Sequence, residues 1–287
     1  MSLLSYRYLA PAAGSVEPAC VPLVLDSPHS GTEYPPDFAA AIDPGALRTA
    51  EDTWVADLWD AAPQLGIALL AARFPRSYID ANRGLDEIDS LLLDQPWPHP
   101  LPESAKVRLG KGLIWRMMDD GTPLYQRRLS HDEVHWRIAQ CWQPYHDKLQ
   151  AVIDQTHAQF GKVWHINCHS MPSVAGAYAT EQPGLQHPDF VLGDRDGSTA
   201  GPEFHTFIAD FLRALGYSVS INDPYKGVEI VRRYGDPAHG RHSLQIEINR
   251  RLYMDERSLR PTAGFAPLRQ HLKELMRALS DWTPTQL

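Results

Sequence analysis

The sequence predicts an α/β fold, and two observations carry that prediction. Short apolar runs that stop at glycine, proline or polar turns alternate along the chain with amphipathic segments at helical spacing. The chain has 287 residues, 43% of them hydrophobic, enough to bury a substantial core without disulfides or a structural metal. No internal repeat, heptad run or low-complexity segment points elsewhere.

Five apolar runs read as strands. Residues 21–25 end at Asp26-Ser27-Pro28-His29-Ser30-Gly31, and residues 68–74 lead into Pro75-Arg76-Ser77-Tyr78-Ile79-Asp80. Residues 163–167 run into Cys168-His169-Ser170, residues 217–221 precede Asn222-Asp223-Pro224-Tyr225, and residues 243–248 form the last. Helices are predicted between them. Residues 51–65 place Val55, Leu58, Trp59 and Ala62 on one face, and residues 138–160 do the same with Trp142, Tyr145, Leu149, Val152 and Ile153. Residues 202–215 carry Phe204, Phe207, Ile208, Phe211 and Leu212 and stop at Gly216; a final helix covers about 264–279. The stretch 92–112, with Pro96, Pro98, Pro100 and Pro102, reads as an excursion or lid within one domain spanning 1–287, because long irregular segments in compact domains often serve as covers.

Composition excludes several function classes. A net charge of -8 argues against nucleic acid as the main partner but leaves room for a small anionic substrate. No run approaches the roughly 20 apolar residues of a membrane helix, and residues 1–7 lack the order of a signal peptide, so a cytoplasmic protein is expected. The 3 cysteines (Cys20, Cys141, Cys168) are scattered, which disfavours a disulfide framework or a cysteine zinc site. Of the 13 histidines, some are expected at the surface, such as His187 and His239 in proline-rich stretches. No glycine-rich nucleotide loop is present, and neither Ser30 nor Ser170 lies in a nucleophile elbow. Cys168 beside His169 lacks the setting of a cysteine nucleophile, since neighbours on a strand point to opposite faces.

The chemistry gathers at strand ends, where open α/β sheets place their working residues. His29 and His169 each follow or close an apolar run. Two histidines, a carboxylate and an open position make a catalytic zinc site. The carboxylate is Glu33, Glu51 or Asp52; spacing does not choose among them, and an acidic pair at a helix start also serves the helix dipole. Glu247 shares a strand face with Gln245 inside an apolar run, a costly place for a carboxylate unless it works as a general base. Arg76, Arg83, Arg232 and Arg233 stand in loops or at strand ends, and Asn82-Arg83 offers an amide beside a guanidinium fork for a carboxylate. Lys226-Gly227 and residues 232–235 read as loops presenting further cations.

These residues resemble the N-formylglutamate amidohydrolase family, within the zinc-dependent carboxypeptidase-like and aspartoacylase-like hydrolases. The resemblance rests on residues 27–32, Glu51-Asp52 with Asp57-Leu58, residues 74–83, Cys168-His169-Ser170, residues 188–193, Lys226-Gly227, residues 232–235, residues 244–247 and residues 253–256. Together they span nearly the whole chain in the family's order.

The resemblance implies a three-layer α/β/α sandwich with a mixed, carboxypeptidase-like central sheet. It implies one Zn2+ per chain on His29, Asp52 and His169, although other divalent metals suit such ligands. It makes Glu247 the general base, and puts Asn82 and Arg83 on the substrate α-carboxylate. The expected reaction converts N-formyl-L-glutamate to formate and L-glutamate, a step of histidine degradation. Arg76 would help stabilise the oxyanion, while Lys226 or Arg232 would bind a side-chain carboxylate. Two departures stand out: the family's aspartate two residues before the third ligand is Asn167 here, and the wider group's His-x-x-Glu ligand pair is missing. Alternatives are another N-acyl amino acid or short peptide as substrate, or a non-catalytic binder of acylated amino acids. Oligomeric state is not legible in the sequence.

Overall fold

Seven strands form one sheet in a computed structural model of the chain, which describes residues 5–12, 20–176 and 183–287. They are β1 (Tyr6–Leu9), β2 (Leu23–Ser27), β3 (Ala68–Ala72), β4 (Val163–Met171), β5 (Phe190–Gly193), β6 (Val219–Ile221) and β7 (Arg241–Asn249). Their spatial order is β1-β3-β2-β4-β7-β5-β6. The central strands β3, β2, β4 and β7 run parallel, whereas β1 joins β3 and β5 joins β7 antiparallel. Helix Gln143–Phe160 covers one face, and helices Pro202–Ala214 and Phe265–Trp282 cover the other, so the fold is a three-layer α/β/α sandwich on a mixed sheet. Among the described residues no helix is long and apolar enough to cross a membrane. Residues 1–4, part of the stretch read above for a leader, lie outside the described residues.

The two faces of the central strands differ. Leu23 and Leu25 of β2, Trp164, Ile166 and Cys168 of β4, and Leu244, Ile246 and Ile248 of β7 all join one apolar cluster. Helix Phe265–Trp282 seals this face with Leu268, Leu272, Leu275, Met276 and Leu279, one stripe at helical spacing. Each such side chain, fully buried, contributes roughly 1.5–3 kcal/mol. The alternate positions carry Asp26, His165, Asn167, His169, Ser243, Gln245 and Glu247. Parallel strands covered on both faces ordinarily read as continuous apolar runs. Here the alternation of β4 and β7 sets a polar face, which carries the candidate site residues, against an apolar one.

Several elements differ from the expectations, each for a local reason. Strand β2 begins after Pro22, which has no amide to donate. Strand β4 continues to Met171 because β7 pairs with it throughout, from Val163↔Arg241 to Met171↔Asn249; His169 therefore lies inside a strand rather than beyond its end. Strands β1 and β5 and helix Glu229–Tyr234 are additional elements. The predicted helix 51–65 is instead a turn of α-helix at Val55–Leu58 and a 3-10 segment at Ala62–Leu65. Trp54, in the left-handed region with φ 68, breaks it; its indole donates to the Leu259 carbonyl at 2.9 Å. Residues 138–160 begin as a π-helical turn, Ile138–Trp142, because Pro144 cannot continue the regular ladder and its ring crowds the preceding turn. His187 is buried, its Nδ1 2.6 Å from the Pro172 carbonyl, whereas His239 is exposed.

Candidate active site

His29, Asp52 and His169 converge from three separate parts of the chain. His29 stands in the turn after β2, where Gly31 is required because a Cβ there would overlap the Phe74 carbonyl. Asp52 is not in a helix. It occupies the bend before Val55, and its amide donates to the His29 carbonyl at 3.0 Å, tying the two ligand segments together. Asp52 Oδ2 is 3.3 Å from His29 Nδ1 and 3.0 Å from His169 Nδ1, with all three side chains buried. These ligand atoms lie within 4.8 Å of one another, and no other such group occurs among the described residues.

The atoms behind the triad hold its orientation. His29 Nε2 is 2.7 Å from Asp80 Oδ1, a carboxylate–histidine pair that leaves Nδ1 facing the centre. That Nδ1 is buried with no hydrogen-bond partner, as expected of a nitrogen reserved for a metal. Arg250 Nη2 donates to Asp52 Oδ1 at 3.2 Å, and Oδ2 is left toward the two histidines. Burial pushes the Asp52 carboxyl up, but the His169 and His29 imidazoles that face it, together with the Arg76 charge, outweigh that and hold it well below the usual carboxylate range. Two imidazole nitrogens and one ionised carboxylate oxygen are a fitting donor set for zinc or a similar divalent cation.

Glu247 lies directly across from His169 in the β4–β7 register, on the same face. Gln245 donates to its Oε1 at 2.9 Å. Burial pushes the Glu247 carboxyl up and the Asp52 charge adds to this, while the His169 and arginine charges pull it down. A carboxylate of raised basicity beside a metal position suits proton transfer.

A cavity of about 590 Å³ opens over this group. Arg76, Asn82, Arg83, Lys226, Glu247 and Arg250 line it, and Lys106 and Lys111 reach it from within the 92–112 excursion. Arg83 has Nε on the Lys111 carbonyl at 3.0 Å and Nη1 on the Asn82 carbonyl at 2.8 Å, which fixes its fork. The Asn82 amide is engaged: its Oδ1 accepts from the Ile230 amide at 2.9 Å, and its Nδ2 sits 3.1 Å from His169 Nε2. Lys226 pairs with Asp196 at 2.8 Å. Arg232, contrary to expectation, is not on a loop but on helix Glu229–Tyr234, and its exposed guanidinium bonds Glu229 at 2.6 Å rather than lining the cavity.

The N-formylglutamate amidohydrolase family model matches residues 21–254. The chain belongs to this family. It is 31% identical to the N-formylglutamate deformylase of Pseudomonas aeruginosa over 273 residues, covering 91% of this chain and 94% of that protein. It is 30% identical over 280 residues to the N-formylglutamate deformylase of Pseudomonas putida, covering 91% and 93% of the two chains. Among solved structures, N-formylglutamate amidohydrolase from Ralstonia eutropha JMP134 superposes with a TM-score of 0.92 at 45% identity, over 99% of this chain and 100% of that one.

Within this member of the N-formylglutamate amidohydrolase family, three groups around the site were not found by sequence reasoning. Asp80 is 0% exposed and accepts from the Trp115 indole at 3.2 Å and from Arg76 Nη2 at 3.0 Å. Burial pushes its carboxyl up, but the charges of His29, Arg76 and Arg83 outweigh it and hold Asp80 well below the usual range. Trp115 stacks under the Arg76 guanidinium at 4.9 Å. Arg250 also donates to the Glu51 carbonyl at 2.7 Å and to Ser170 Oγ at 3.2 Å. The signal for Asp80 was its place at the end of the segment after β3; Trp115 and Arg250 carried no local signal.

Proposed function

We propose that this chain hydrolyses the amide of N-formyl-L-glutamate to formate and L-glutamate, using one divalent metal per chain, with zinc favoured. The convergence of His29 Nδ1, His169 Nδ1 and Asp52 Oδ2 beside Glu247, in a cavity rich in arginine, carries the reading. Relatives named as N-formylglutamate deformylases support the substrate. When bound, a divalent cation supplies Lewis-acid polarisation of the acyl oxygen and acidifies water.

The chain's own residues do the rest. Glu247 takes a proton from the attacking water and returns it to the departing nitrogen, so the C–N bond breaks to give a carboxylic acid and an amine. Arg76, held by Asp80 and Trp115, points its charge at the metal side of the cavity and stabilises the oxyanion. The fixed fork of Arg83 takes the substrate α-carboxylate, and Asn82 holds the adjoining wall. Lys226, a cavity-lining cation, takes the side-chain carboxylate by exchanging its surface partner Asp196. The 92–112 excursion acts as the lid of a single domain, and the reaction takes place in the cytoplasm, in histidine degradation.

The test is formate release from N-formyl-L-glutamate by purified protein, with chelation and Zn2+ restoration, against N-acetyl-L-glutamate and N-formyl-L-aspartate. Turnover that is lost on chelation and regained with Zn2+ supports both the reaction and the metal. Undiminished turnover after full chelation would refute the metal, and turnover confined to another acyl amino acid would replace the substrate.

A further inference from the structure

Asp26 is a fully buried carboxylate near the end of the largely apolar strand β2, outside the cavity, and the reaction above gives it no task. Such a charge is costly unless it is employed. Its oxygens are all engaged: Oδ2 accepts from the Tyr145 hydroxyl at 2.6 Å, while Oδ1 receives Asn167 Nδ2 at 2.8 Å and faces His165 Nε2 at 2.9 Å. Burial raises its carboxyl, but the bonds and charge of His165, with Tyr145 and Asn167, prevail and keep it ionised.

An ionised carboxylate only accepts, so the Asn167 amide must turn its NH2 toward Asp26. Asn167 Oδ1 then faces His169 Nε2, at 2.7 Å. A carbonyl oxygen that close requires a hydrogen on Nε2, so a ring carrying a single hydrogen, as a metal ligand must, has its lone pair on Nδ1, the nitrogen facing Asp52 Oδ2. The competing arrangement is also built in. Asn82 Nδ2 sits 3.1 Å from the same Nε2, and an Asn167 amide free to turn over would let Asn82 donate there instead. The imidazole would then carry its hydrogen on Nδ1 and could not ligate through it.

We propose that Asp26 is a positioning residue that locks His169 in its ligating tautomer, acting through Asn167. The inference rests on the metal reading above. It also accounts for Asn167 standing where an aspartate was expected: the carboxylate is present, one residue removed, on the neighbouring strand β2.

The lock makes an unusual swap prediction. Asp26→Asn alone weakens Zn2+ binding by the metal-free protein about 10- to 100-fold, the range for an outer-shell partner. Asn167→Asp alone also weakens it, because two carboxylates then meet at hydrogen-bond distance. The double variant D26N/N167D restores binding to within about threefold. In it the carboxylate moved to position 167 accepts from His169 Nε2. The amide moved to position 26 donates to that carboxylate and to His165 Nε2, and accepts from Tyr145. Binding is read by calorimetric Zn2+ titration, with unfolding curves to show that each variant is folded. Nitrogen-15 histidine spectra of the metal-free protein read the tautomer directly. Wild-type Zn2+ affinity in D26N, losses that merely add in the double variant, or an Nδ1–H His169 in the wild type would each overturn the lock. A wild-type protein that takes up no Zn2+ would refute the metal reading instead, and the spectra would still decide the tautomer.

Discussion

At the scale of single residues, the proposed reaction separates groups that bind from groups that transfer protons. Glu247 neighbours the candidate metal ligands His29, Asp52 and His169 and is positioned by Gln245 and by the β4–β7 register; in the proposed reaction it transfers protons and does not ligate. Glu247→Gln should therefore lower kcat by about 10²–10⁴ while leaving metal content unchanged, as measured by steady-state kinetics alongside metal analysis. Metal loss in that variant would make Glu247 a ligand. Asp80→Asn probes a different task. Its Oδ1 faces His29 Nε2, so the expected effect is a metal affinity weaker by about 10- to 100-fold, read by competition with a chelator. Unchanged affinity would show that the turn after β2 orients His29 unaided.

At the scale of elements, the segment after the proline-rich excursion helps to build the cavity wall. Trp115 lies beneath Arg76 and bonds Asp80, so one side chain joins this segment to both Arg76, the proposed oxyanion cation, and Asp80, the partner of His29. Trp115→Phe keeps the stacking surface and loses the indole bond, whereas Trp115→Ala loses both. The expected order in kcat/KM is wild type, then Phe, then Ala, with Ala lower by about tenfold or more, since cation–π and hydrogen-bond contributions of roughly 1 kcal/mol each combine. Equal activity in all three would remove this segment from the chemistry. Helix Glu229–Tyr234 has a supporting role too: its Ile230 amide holds Asn82 Oδ1, and Tyr234 bonds His146.

At the scale of the whole molecule, the polar face of the sheet continues beneath the site as a buried hydrogen-bonded layer, and that layer couples stability to pH. His146 is 2% exposed, with Nδ1 2.8 Å from the Tyr234 hydroxyl and Nε2 2.8 Å from the Ala81 carbonyl. Burial lowers its pKa from 6.5 to about 4. The folded protein thus keeps the imidazole neutral while the unfolded chain takes up a proton, so stability falls as pH drops from about 6.5 towards about 4. The loss is of order 3 kcal/mol. Denaturant unfolding across that range should show it, and His146→Gln, which can still donate to Ala81 and accept from Tyr234, should flatten the slope. An unchanged slope would place the acid sensitivity in another buried group.

The sequence by itself determined the α/β class, the two histidines at β2 and β4, and the alternation that puts Glu247 on the polar face with His169, because strand periodicity and turn chemistry are local properties. The helix Phe265–Trp282 was legible for the same reason, through its apolar stripe. Spacing left Glu33, Glu51 and Asp52 equal and only the family resemblance pointed to Asp52; the tertiary structure decided how it meets the histidines, through a bend that Trp54 and Leu259 pin across the fold. It also moved Arg232 out of the cavity, since Glu229 holds it on the exposed side of a short helix too brief to show a period. The contacts of Asp80, Trp115, Arg250 and Asp26 join residues far apart in the chain, and such pairings are set by packing of the two layers against the sheet, which no local pattern encodes.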